Sequence, residues 1–475
     1  MTFVVYNSLS KTKEPFRSLE PGVVRMYNCG PTVYNRPHVG NYRAFLFADT
    51  LRRWLEYSGF RVEQVMNITD VGHLTDDADD GEDKLEKQAR KEKLDPWQIS
   101  RKVAEQFFAD LRALGVRPAK VYPKASEHIA EMVEIIEGLL AKGHAYAVGG
   151  DVYFDVKSFP RYGKLSGNRV EDLAAGSRIA VREEKRNPED FALWKSDPAH
   201  IMKWATRFGP DGFPGWHIEC SAMARRHLGD RLDIHTGGED NIFPHHECEI
   251  AQSESFTGQP FASFWMHSKF LQVDGGKMSK SLGNVYTLDD IAAKGYTPRQ
   301  LRFALIRGHY RAPLNFTWEA MKDAASSLEN LDDLVARLRR VSKAEGAAAD
   351  ANAGSELVED ARAEFEKHLN DDLNVAPALA SLFGLRAHAL NGAFGVEAAG
   401  RALSFLTRAN DVLGVIEIDE QLLDAKVDAL IQERQLARKS KDFLRADEIR
   451  KLLESQGIVL EDSPKGVIWR RKPGA

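Results

Sequence analysis

Two short segments carry side chains suited to binding a polyphosphate. His38-Val-Gly-Asn41 follows an apolar run and opens a stretch with helical spacing. The start of a helix presents unpaired N–H groups and the positive end of the helix dipole, so it favours an anion. Lys277-Met-Ser-Lys-Ser281 offers two ammonium groups and two hydroxyls near glycines, which suits the charge of a polyphosphate transition state. Each segment alone also fits a capped helix start or a solvated loop, but the pair is far more specific.

The cysteines and their neighbours could bind a metal. Cys29, Cys220 and Cys248 form an odd, small set, which does not indicate a disulfide framework. Spacing alone favours His217-x2-Cys220 with His245-x2-Cys248, a tetrahedral set of two imidazoles and two thiolates. The alternative is that all three thiols are simply buried, as free cysteines often are. The residues alone leave both interpretations open.

Composition restricts the class of protein without identifying it. The 475 residues have a net charge of −5, so any surface that binds nucleic acid must be local. No stretch approaches the ~20 apolar residues of a membrane helix, and charges interrupt the N-terminal segment where a signal peptide would be apolar. We therefore expect a cytoplasmic protein.

The elements that position these side chains follow from periodicity. Val23–Asn28 and Arg61–Thr69 have the character of strands, and Tyr42–Tyr57 between them has helical spacing. This βαβ unit predicts a parallel sheet whose functional loops follow the carboxyl ends of its strands. The sheet resumes at Leu232–His235, and a helix is predicted over Pro244–Ser253.

Other segments predict additional modules. Gly149-Gly150 within His144–Val156 predicts a hairpin, which belongs to a β-rich insertion extending to about Phe208. The pattern is almost wholly helical from Leu328. The tail, residues 434–475, holds eleven Lys or Arg against six Asp or Glu, and its pattern is a helix followed by two short strands. This indicates a small α/β module with a basic face.

Together, these features resemble the class I aminoacyl-tRNA synthetases. The lysine-containing signature matches in full, whereas Asn41 stands where that family usually has a second histidine. Cys29 and the blocks Trp216-His-Ile-Glu-Cys220, His235-Thr-Gly-Gly-Glu-Asp240 and Phe243-Pro-His-His-Glu-Cys-Glu249 resemble the cysteinyl-tRNA synthetases in particular. The resemblance runs from about Tyr6 to Arg471.

The resemblance implies an α/β fold. A Rossmann-type parallel-sheet catalytic domain with an insertion is followed by a helical bundle and a small C-terminal α/β anticodon-binding domain. The expected divisions are catalytic domain, first half, 1–120; connective insertion, 121–210; catalytic domain, second half, 211–265; stem-contact region with the lysine loop, 266–325; helical bundle, 326–415; and anticodon-binding domain, 416–475.

The activity implied by the resemblance has two steps. ATP, with Mg²⁺, activates L-cysteine to cysteinyl-adenylate, and the cysteinyl group is then transferred to the 3′ end of tRNA(Cys). One Zn²⁺ per chain would bind the substrate thiol and so select cysteine from other small amino acids, which apolar packing separates poorly. The expected partners are tRNA(Cys), L-cysteine and ATP, and the expected state is a monomer.

Individual roles also follow from the resemblance. It implies the metal ligands Cys29, Cys220, His245 and Glu249 instead of the spacing-based set, which leaves Cys248 as a spare. The catalytic residues would be His38, Asn41, Lys277 and Lys280; the nucleotide contacts His38, Gly40, Gly238, Asp240, His267 and Lys280; and the cysteine contacts Gly30, Thr32, Thr69, Trp216 and His235. Lys269 departs from the glycine that the family usually has.

Several alternatives concern RNA. Arg299, Arg302, Arg307 and Arg311 fit either a surface for the tRNA stem or a solvated helix face. Trp469 either stacks on anticodon bases or closes the core of the tail module. A cysteine ligase that joins the adenylate to a small amine would not need the basic tail, and a non-catalytic RNA-binding relative would not need intact phosphate and metal motifs.

Overall fold

The computed structural model describes residues 2–72, 83–169, 185–278, 283–344, 351–418, 425–440, 442–455, 458–463 and 466–471. The strands are β1 (Val4–Asn7), β2 (Thr12–Pro15), β3 (Val23–Asn28), β4 (Arg61–Met66), β5 (Ala145–Val148), β6 (Asp151–Phe154), β7 (Phe191–Ser196), β8 (Trp204–Thr206), β9 (Gly209–Pro214), β10 (Leu232–Gly238), β11 (Ala262–Ser268), β12 (Leu271–Val273), β13 (Gly276–Lys277), β14 (Leu314–Phe316), β15 (Ile458–Ser463) and β16 (Gly466–Arg471).

Fourteen α-helices lie within the described residues. They are α1 (Val39–Tyr57), α2 (Lys84–Glu92), α3 (Pro96–Ala113), α4 (Ile129–Ala141), α5 (Trp216–Leu228), α6 (Glu247–Thr257), α7 (Leu288–Ala293), α8 (Pro298–Ile306), α9 (Trp318–Ser342), α10 (Ser355–Asn370), α11 (Val375–Leu390), α12 (Val396–Leu413), α13 (Ala425–Lys439) and α14 (Phe443–Ser455). Among the described residues, no helix combines the length and apolar character needed to cross a membrane.

A parallel sheet of four strands forms the centre of the catalytic part. Its order is β11-β10-β3-β4, and every neighbouring pair is parallel. Helix α1 connects β3 to β4, so the predicted βαβ unit is confirmed. The strands are buried because helices cover the sheet, which explains their near-continuous apolar character. The carboxyl ends of β3 and β10 therefore meet at one edge, as the α/β Rossmann-type fold requires.

Helix α1 links the segment His38–Asn41, predicted to bind phosphate, to the hydrophobic core. It begins directly after His38, and its inner face is buried against the sheet and neighbouring helices. The large apolar side chains on that face are Phe45, Leu46, Leu51, Trp54 and Leu55. Their spacing follows the helical repeat from which the helix was predicted.

The insertion contains a separate antiparallel sheet. Its order is β5-β6-β7-β9-β8. The predicted hairpin is confirmed, since β5 pairs with β6 and the turn consists of Gly149 and Gly150. Both glycines have positive φ, 60° and 96°, which the tight turn requires and which L side chains rarely adopt.

The C-terminal half is helical as predicted, but the helical part begins earlier than the sequence indicated. Helix α9 starts at Trp318, where the Thr317 hydroxyl accepts a hydrogen bond from the amide of Ala320, whereas the pattern placed the start near Leu328. In the tail, the predicted pair of strands is confirmed as the antiparallel β15 and β16, but two helices, α13 and α14, precede it where the sequence indicated one. Trp469 lies in β16, and its side chain is outside the described residues.

The proposed arginine surface is partly wrong. Arg302 is 1% exposed and its guanidinium is hydrogen-bonded to Asp49, so it neither lies on a solvated face nor contacts RNA. Arg299 pairs with Asp332, and Arg311 pairs with the buried Asp372. Helix α8, which carries Arg299 and Arg302, packs against α1, α7 and α9, so these two cations find partners within the protein.

Candidate active site

Side chains from four elements meet at the carboxyl edge of the central sheet. Cys29 directly follows β3, Cys220 lies on α5, His245 lies in the π turn Ile242–His246, and Glu249 lies on α6. One ligand atom of each lies within 4.8 Å of those of the other three. The structure thus brings together the four residues that the resemblance implied as metal ligands.

The carboxylate of Glu249 is the centre of this cluster. It is fully buried and accepts a hydrogen bond from His235 Nε2 at 2.8 Å. The Nε2 atom of His245 lies 3.1 Å from its other oxygen, and Cys29 Sγ lies 3.9 Å from that same oxygen. His245 and Glu249 are four residues apart on continuous helical turns, so they project on one side.

The spacing-based set of ligands does not assemble. Cys248 points away from the cluster, and its sulfur lies 3.3 Å from the hydroxyl of Tyr162 in the apolar core. His217 approaches His245 through their Nδ1 atoms, 2.9 Å apart. Neither His217 nor Cys248 is part of a metal-sized group among the residues that the structure describes. The regular spacing therefore predicted two ligands, His217 and Cys248, that the fold does not bring into the cluster.

A second group overlaps the first. Cys29, His235, His246 and Glu249 also place ligand atoms within 4.8 Å of one another, and Cys29 Sγ lies 3.1 Å from His246 Nε2. Sequence reasoning missed His246, although it stands beside His245 in a segment already singled out. Adjacent histidines in one helical turn were the signal that could have found it.

The chemistry of these donors fits a soft divalent cation. Burial raises the pKa of the Cys29 thiol well above its usual range, and the neighbouring Cys220 and Glu249 raise it further. The pKa of Cys220 is also raised, because burial and the acidic neighbours outweigh its hydrogen bond with Cys29. Two thiols and a carboxylate are buried together here. A bound cation would lower the raised thiol pKa values again, because it favours the deprotonated thiolates.

The histidines next to the cluster are held neutral. Burial, reinforced by the surrounding imidazoles, lowers the pKa of His246 well below its usual range, and burial lowers the pKa of His267 to about 3. His267 Nε2 lies 2.8 Å from His246 Nδ1, and its Nδ1 lies 2.8 Å from the hydroxyl of Ser8. The predicted nucleotide contact His267 is thus hydrogen-bonded through both ring nitrogens to protein groups.

A hydrogen-bond chain connects the residues expected around the amino acid. The Thr69 hydroxyl donates to Glu219 at 2.9 Å and accepts from the amide of Asn67 at 3.0 Å. Asn67 in turn accepts from the backbone amide of Gly30 at 2.7 Å. Thr32 pairs with Thr69 in an isolated parallel bridge. These contacts fix the segments after β3 and β4 next to each other.

Two aromatic contacts lie beside the cluster. The ring of Trp216 lies 4.4 Å from that of His245, and the ring of His235 stacks on Trp265 at 4.6 Å. Trp216 begins α5 and is only partly buried, whereas His235 is fully buried. Of the predicted cysteine contacts, Trp216 and His235 therefore touch the cluster directly and Gly30 adjoins Cys29, while Thr32 and Thr69 lie beside them along the chain of hydrogen bonds.

The start of α1 lies close to Met278, the last described residue of the lysine-containing segment. A side chain placed on Gly40 would lie 3.2 Å from the terminal methyl of Met278, so the start of α1 faces the lysine-containing segment. Asn41 accepts a hydrogen bond from the backbone amide of His38 at 3.0 Å, so its side chain caps the helix. Lys277 is exposed at the end of β13, while Lys280 lies outside the described residues.

The end of β10 carries the other expected nucleotide contacts. Gly238 is the last residue of β10, and a side chain there would lie 2.2 Å from a carboxylate oxygen of the exposed Asp240. Lys269, where glycine was expected, forms an ion pair with Glu239. Glu239 also accepts from the backbone amide of Phe270 at 2.9 Å, which joins this edge to β12.

Comparisons with known proteins agree with this arrangement. Residues 15–326 match the model for the tRNA synthetases class I (C) catalytic domain, residues 364–417 the DALR domain, and residues 420–470 the cysteinyl-tRNA ligase anticodon binding domain. A cysteine–tRNA ligase of Chlorobaculum tepidum is 44% identical, covering 98% of this chain and 99% of that protein. One of Symbiobacterium thermophilum is 47% identical, covering 98% and 99%.

A solved structure shows the same fold. Methionyl-tRNA synthetase of Mycobacterium tuberculosis, in complex with methionyl-adenylate, has a TM-score of 0.60 at 15% identity, covering 82% of this chain and 89% of its own. The sequence matches extend over nearly the whole chain. The chain therefore belongs to the cysteine–tRNA ligases, which are class I aminoacyl-tRNA synthetases.

Proposed function

We propose that this ligase selects cysteine through a zinc ion held by Cys29, Cys220, His245 and Glu249. The observation that carries the proposal is the convergence of two thiols, an imidazole and a carboxylate within 4.8 Å. Bound zinc would supply a soft, sulfur-preferring contact to the substrate thiol. Serine and alanine lack such a sulfur, so the residues of the site need not discriminate by size alone.

The residues around the cluster would hold the rest of the amino acid. Trp216 and His235 form walls, and Thr69, whose proton is donated to Glu219, can only accept further hydrogen bonds. An accepting hydroxyl suits the ammonium group of the amino acid. Gly30 leaves no side chain between the strands, so the substrate can lie against the backbone.

In the first step, a carboxylate oxygen of cysteine attacks the α-phosphate of ATP, and pyrophosphate leaves. We assign charge neutralisation to His38, Lys277 and Lys280, and nucleotide contacts to Gly40, Gly238, Asp240 and His267. Mg²⁺ accompanies the ATP. Such a step depends mainly on positioning and on stabilising charge, which the start of α1 and two lysines can provide. Asn41 would act by fixing the helix start, since its side chain caps that turn.

In the second step, a ribose hydroxyl at the 3′ end of tRNA(Cys) attacks the acyl carbon, and AMP leaves. The tail from residue 416 would bind the anticodon, 326–415 would form the bundle, and 266–325 would contact the tRNA stem. We keep 1–120 and 211–265 as the two catalytic halves and 121–210 as the insertion. A monomer in the cytoplasm stays a prediction.

Metal analysis combined with amino-acid-dependent pyrophosphate exchange tests the proposal. The purified protein should contain one zinc per chain, and cysteine, but not serine, should support exchange. Zinc-free protein with normal discrimination between cysteine and serine would exclude the selection role. Exchange without acylation of tRNA(Cys) would favour a ligase that acts on a small amine, and absence of any exchange would favour a non-catalytic RNA-binding protein.

A further inference from the structure

Three arginines hold the segment that leads from the helical bundle to the tail. Helix α12 ends at Leu413, and the last carbonyls of a helix lack partners within it. Arg53 donates to the carbonyl of Asp411 at 3.1 Å, Arg302 to that of Leu413 at 2.8 Å, and Arg299 to that of Val415 at 2.7 Å. Every second carbonyl of this segment therefore accepts from a guanidinium.

These arginines come from the helices that flank the phosphate-binding motifs. Arg53 lies on α1, which begins at the first motif, and Arg299 and Arg302 lie on α8, which follows the lysine-containing loop. Asp49 on α1 joins the two helices, because its carboxylate accepts from Arg302 at 2.6 Å and from Arg53 at 2.7 Å. We call Asp49, Arg53, Arg299 and Arg302, with the carbonyls they bind, the arginine junction.

The centre of the junction is buried. Asp49 and Arg302 are each 1% exposed, and Arg302 also donates to the carbonyls of Leu114 and Gly115 at 3.1 and 3.2 Å. Burial would raise the pKa of Asp49, but the charges of Arg302 and Arg53 outweigh it, so the pKa is lowered and the carboxylate stays charged. Only a guanidinium has enough planar donors to bind these elements together.

The geometry connects the far end of the chain to the active site. The matched anticodon-binding region begins at residue 420, just beyond the segment that the arginines hold. Asp49 lies ten residues along α1 from Val39, which is about 15 Å at 1.5 Å per residue. A continuous path of contacts therefore runs from α12 through Arg302 and Asp49 to the helix start beside Met278.

We propose that the arginine junction positions the start of α1 in response to tRNA held by the tail, and that it serves the transfer step more than adenylate formation. This inference rests on the proposed two-step reaction. Arg302 is a positioning residue here, since it acts through α1 and α12. Loss of its bonds to α12 would leave cysteine activation intact but remove the advantage that bound tRNA provides.

The test compares Arg302→Lys with Arg52→Lys in the full-length enzyme. Lysine at 302 keeps the positive charge opposite Asp49 but loses the fork that reaches Leu413. Arg52 lies on α1, next to Arg53, and among the described residues it donates to Glu56, Gln64 and the carbonyl of Pro118 but to no carbonyl of α12, so it is the matched control. Pyrophosphate exchange, single-turnover transfer to tRNA(Cys) and the KM for tRNA are measured for each variant.

For Arg302→Lys, transfer should slow about tenfold, within the roughly 5–150-fold range of typical coupling effects, while exchange and the KM for tRNA stay near wild type. Arg52→Lys should change neither rate. Equal losses of exchange and transfer, or no loss of transfer, would overturn the inference. If Arg302→Lys does not fold, Arg53→Lys is measured instead, since it also retains the charge beside Asp49. The same loss of transfer relative to exchange is expected. Wild-type protein without cysteine-dependent exchange would contradict the proposed function instead.

Discussion

Gly30 occupies a position where any side chain collides with the neighbouring backbone. A Cβ on this residue would lie 1.8 Å from the carbonyl oxygen of Asn67. Ordinary contacts between carbon and carbonyl oxygen are about 3.3 Å or longer, so in Gly30→Ala the two segments must separate by about 1.5 Å. The collision is with backbone, and no rotation of a side chain can relieve it.

This separation acts directly on the proposed active site. Gly30 follows Cys29, and Asn67 precedes Thr69 in the segment after β4. A misplacement of about 1 Å can slow an enzymatic reaction by about 100-fold, so pyrophosphate exchange should fall by at least that factor. Forcing extra atoms into a packed region typically costs about 1–3 kcal/mol, which urea unfolding of Gly30→Ala should detect.

Gly384→Ala provides the control. Gly384 lies within α11, and a Cβ there meets nothing within 4 Å. Alanine is favoured over glycine inside a helix by up to about 1 kcal/mol, so this variant should be more stable and equally active. If Gly30→Ala retained exchange within a few-fold of wild type at unchanged stability, the close approach of these two segments would not matter for catalysis.

Three further predictions concern other parts of the molecule. Cys29→Ser should lose zinc and cysteine affinity, whereas Cys248→Ser should retain both by metal analysis and cysteine titration, and the reverse result would restore the spacing-based ligands. Lys280→Ala should slow adenylate formation much more than it weakens cysteine binding, and pre-steady-state kinetics showing the opposite would exclude that role. Burial lowers the pKa of His200, but Asp83, 3.2 Å away, raises it more, so the net shift is upward. The stabilising effect of this pair is complete below about pH 6.5 and is lost as pH rises through the folded-state pKa. His200→Asn should therefore reduce the free energy of unfolding more at about pH 5.5 than at about pH 9, and an equal loss at both values would contradict the charge on the pair.

Periodicity along the chain predicted the local elements well. The βαβ unit around α1, the hairpin at Gly149-Gly150 and the two strands of the tail all appear where the sequence indicated. Each is determined by contacts among near neighbours, whose repeat is visible in the sequence. The start of α9 was misjudged because the apolar repeat becomes clear only after the first turns of the helix.

The long-range contacts could not be predicted in the same way. Arg302 has the sequence context of an exposed helical arginine, yet it is buried against Asp49, 253 positions away in the chain. Its burial depends on how α8, α1 and α12 pack together, which leaves no periodic trace. Lys269 and Glu239 meet for a similar reason, since their strands end at the same sheet edge.

The proposed metal site shows why spacing rules failed at the point of greatest chemical interest. Paired motifs such as His-x2-Cys work when one short loop supplies both ligands, but here the four donors come from four different elements. His245 and Glu249 are the exception, since one helical turn brings them to the same side. Cys248 satisfies the spacing but faces Tyr162, because adjacent positions on a helix point in different directions. The useful local signal was therefore helical geometry, and the remaining ligands depended on the parallel sheet.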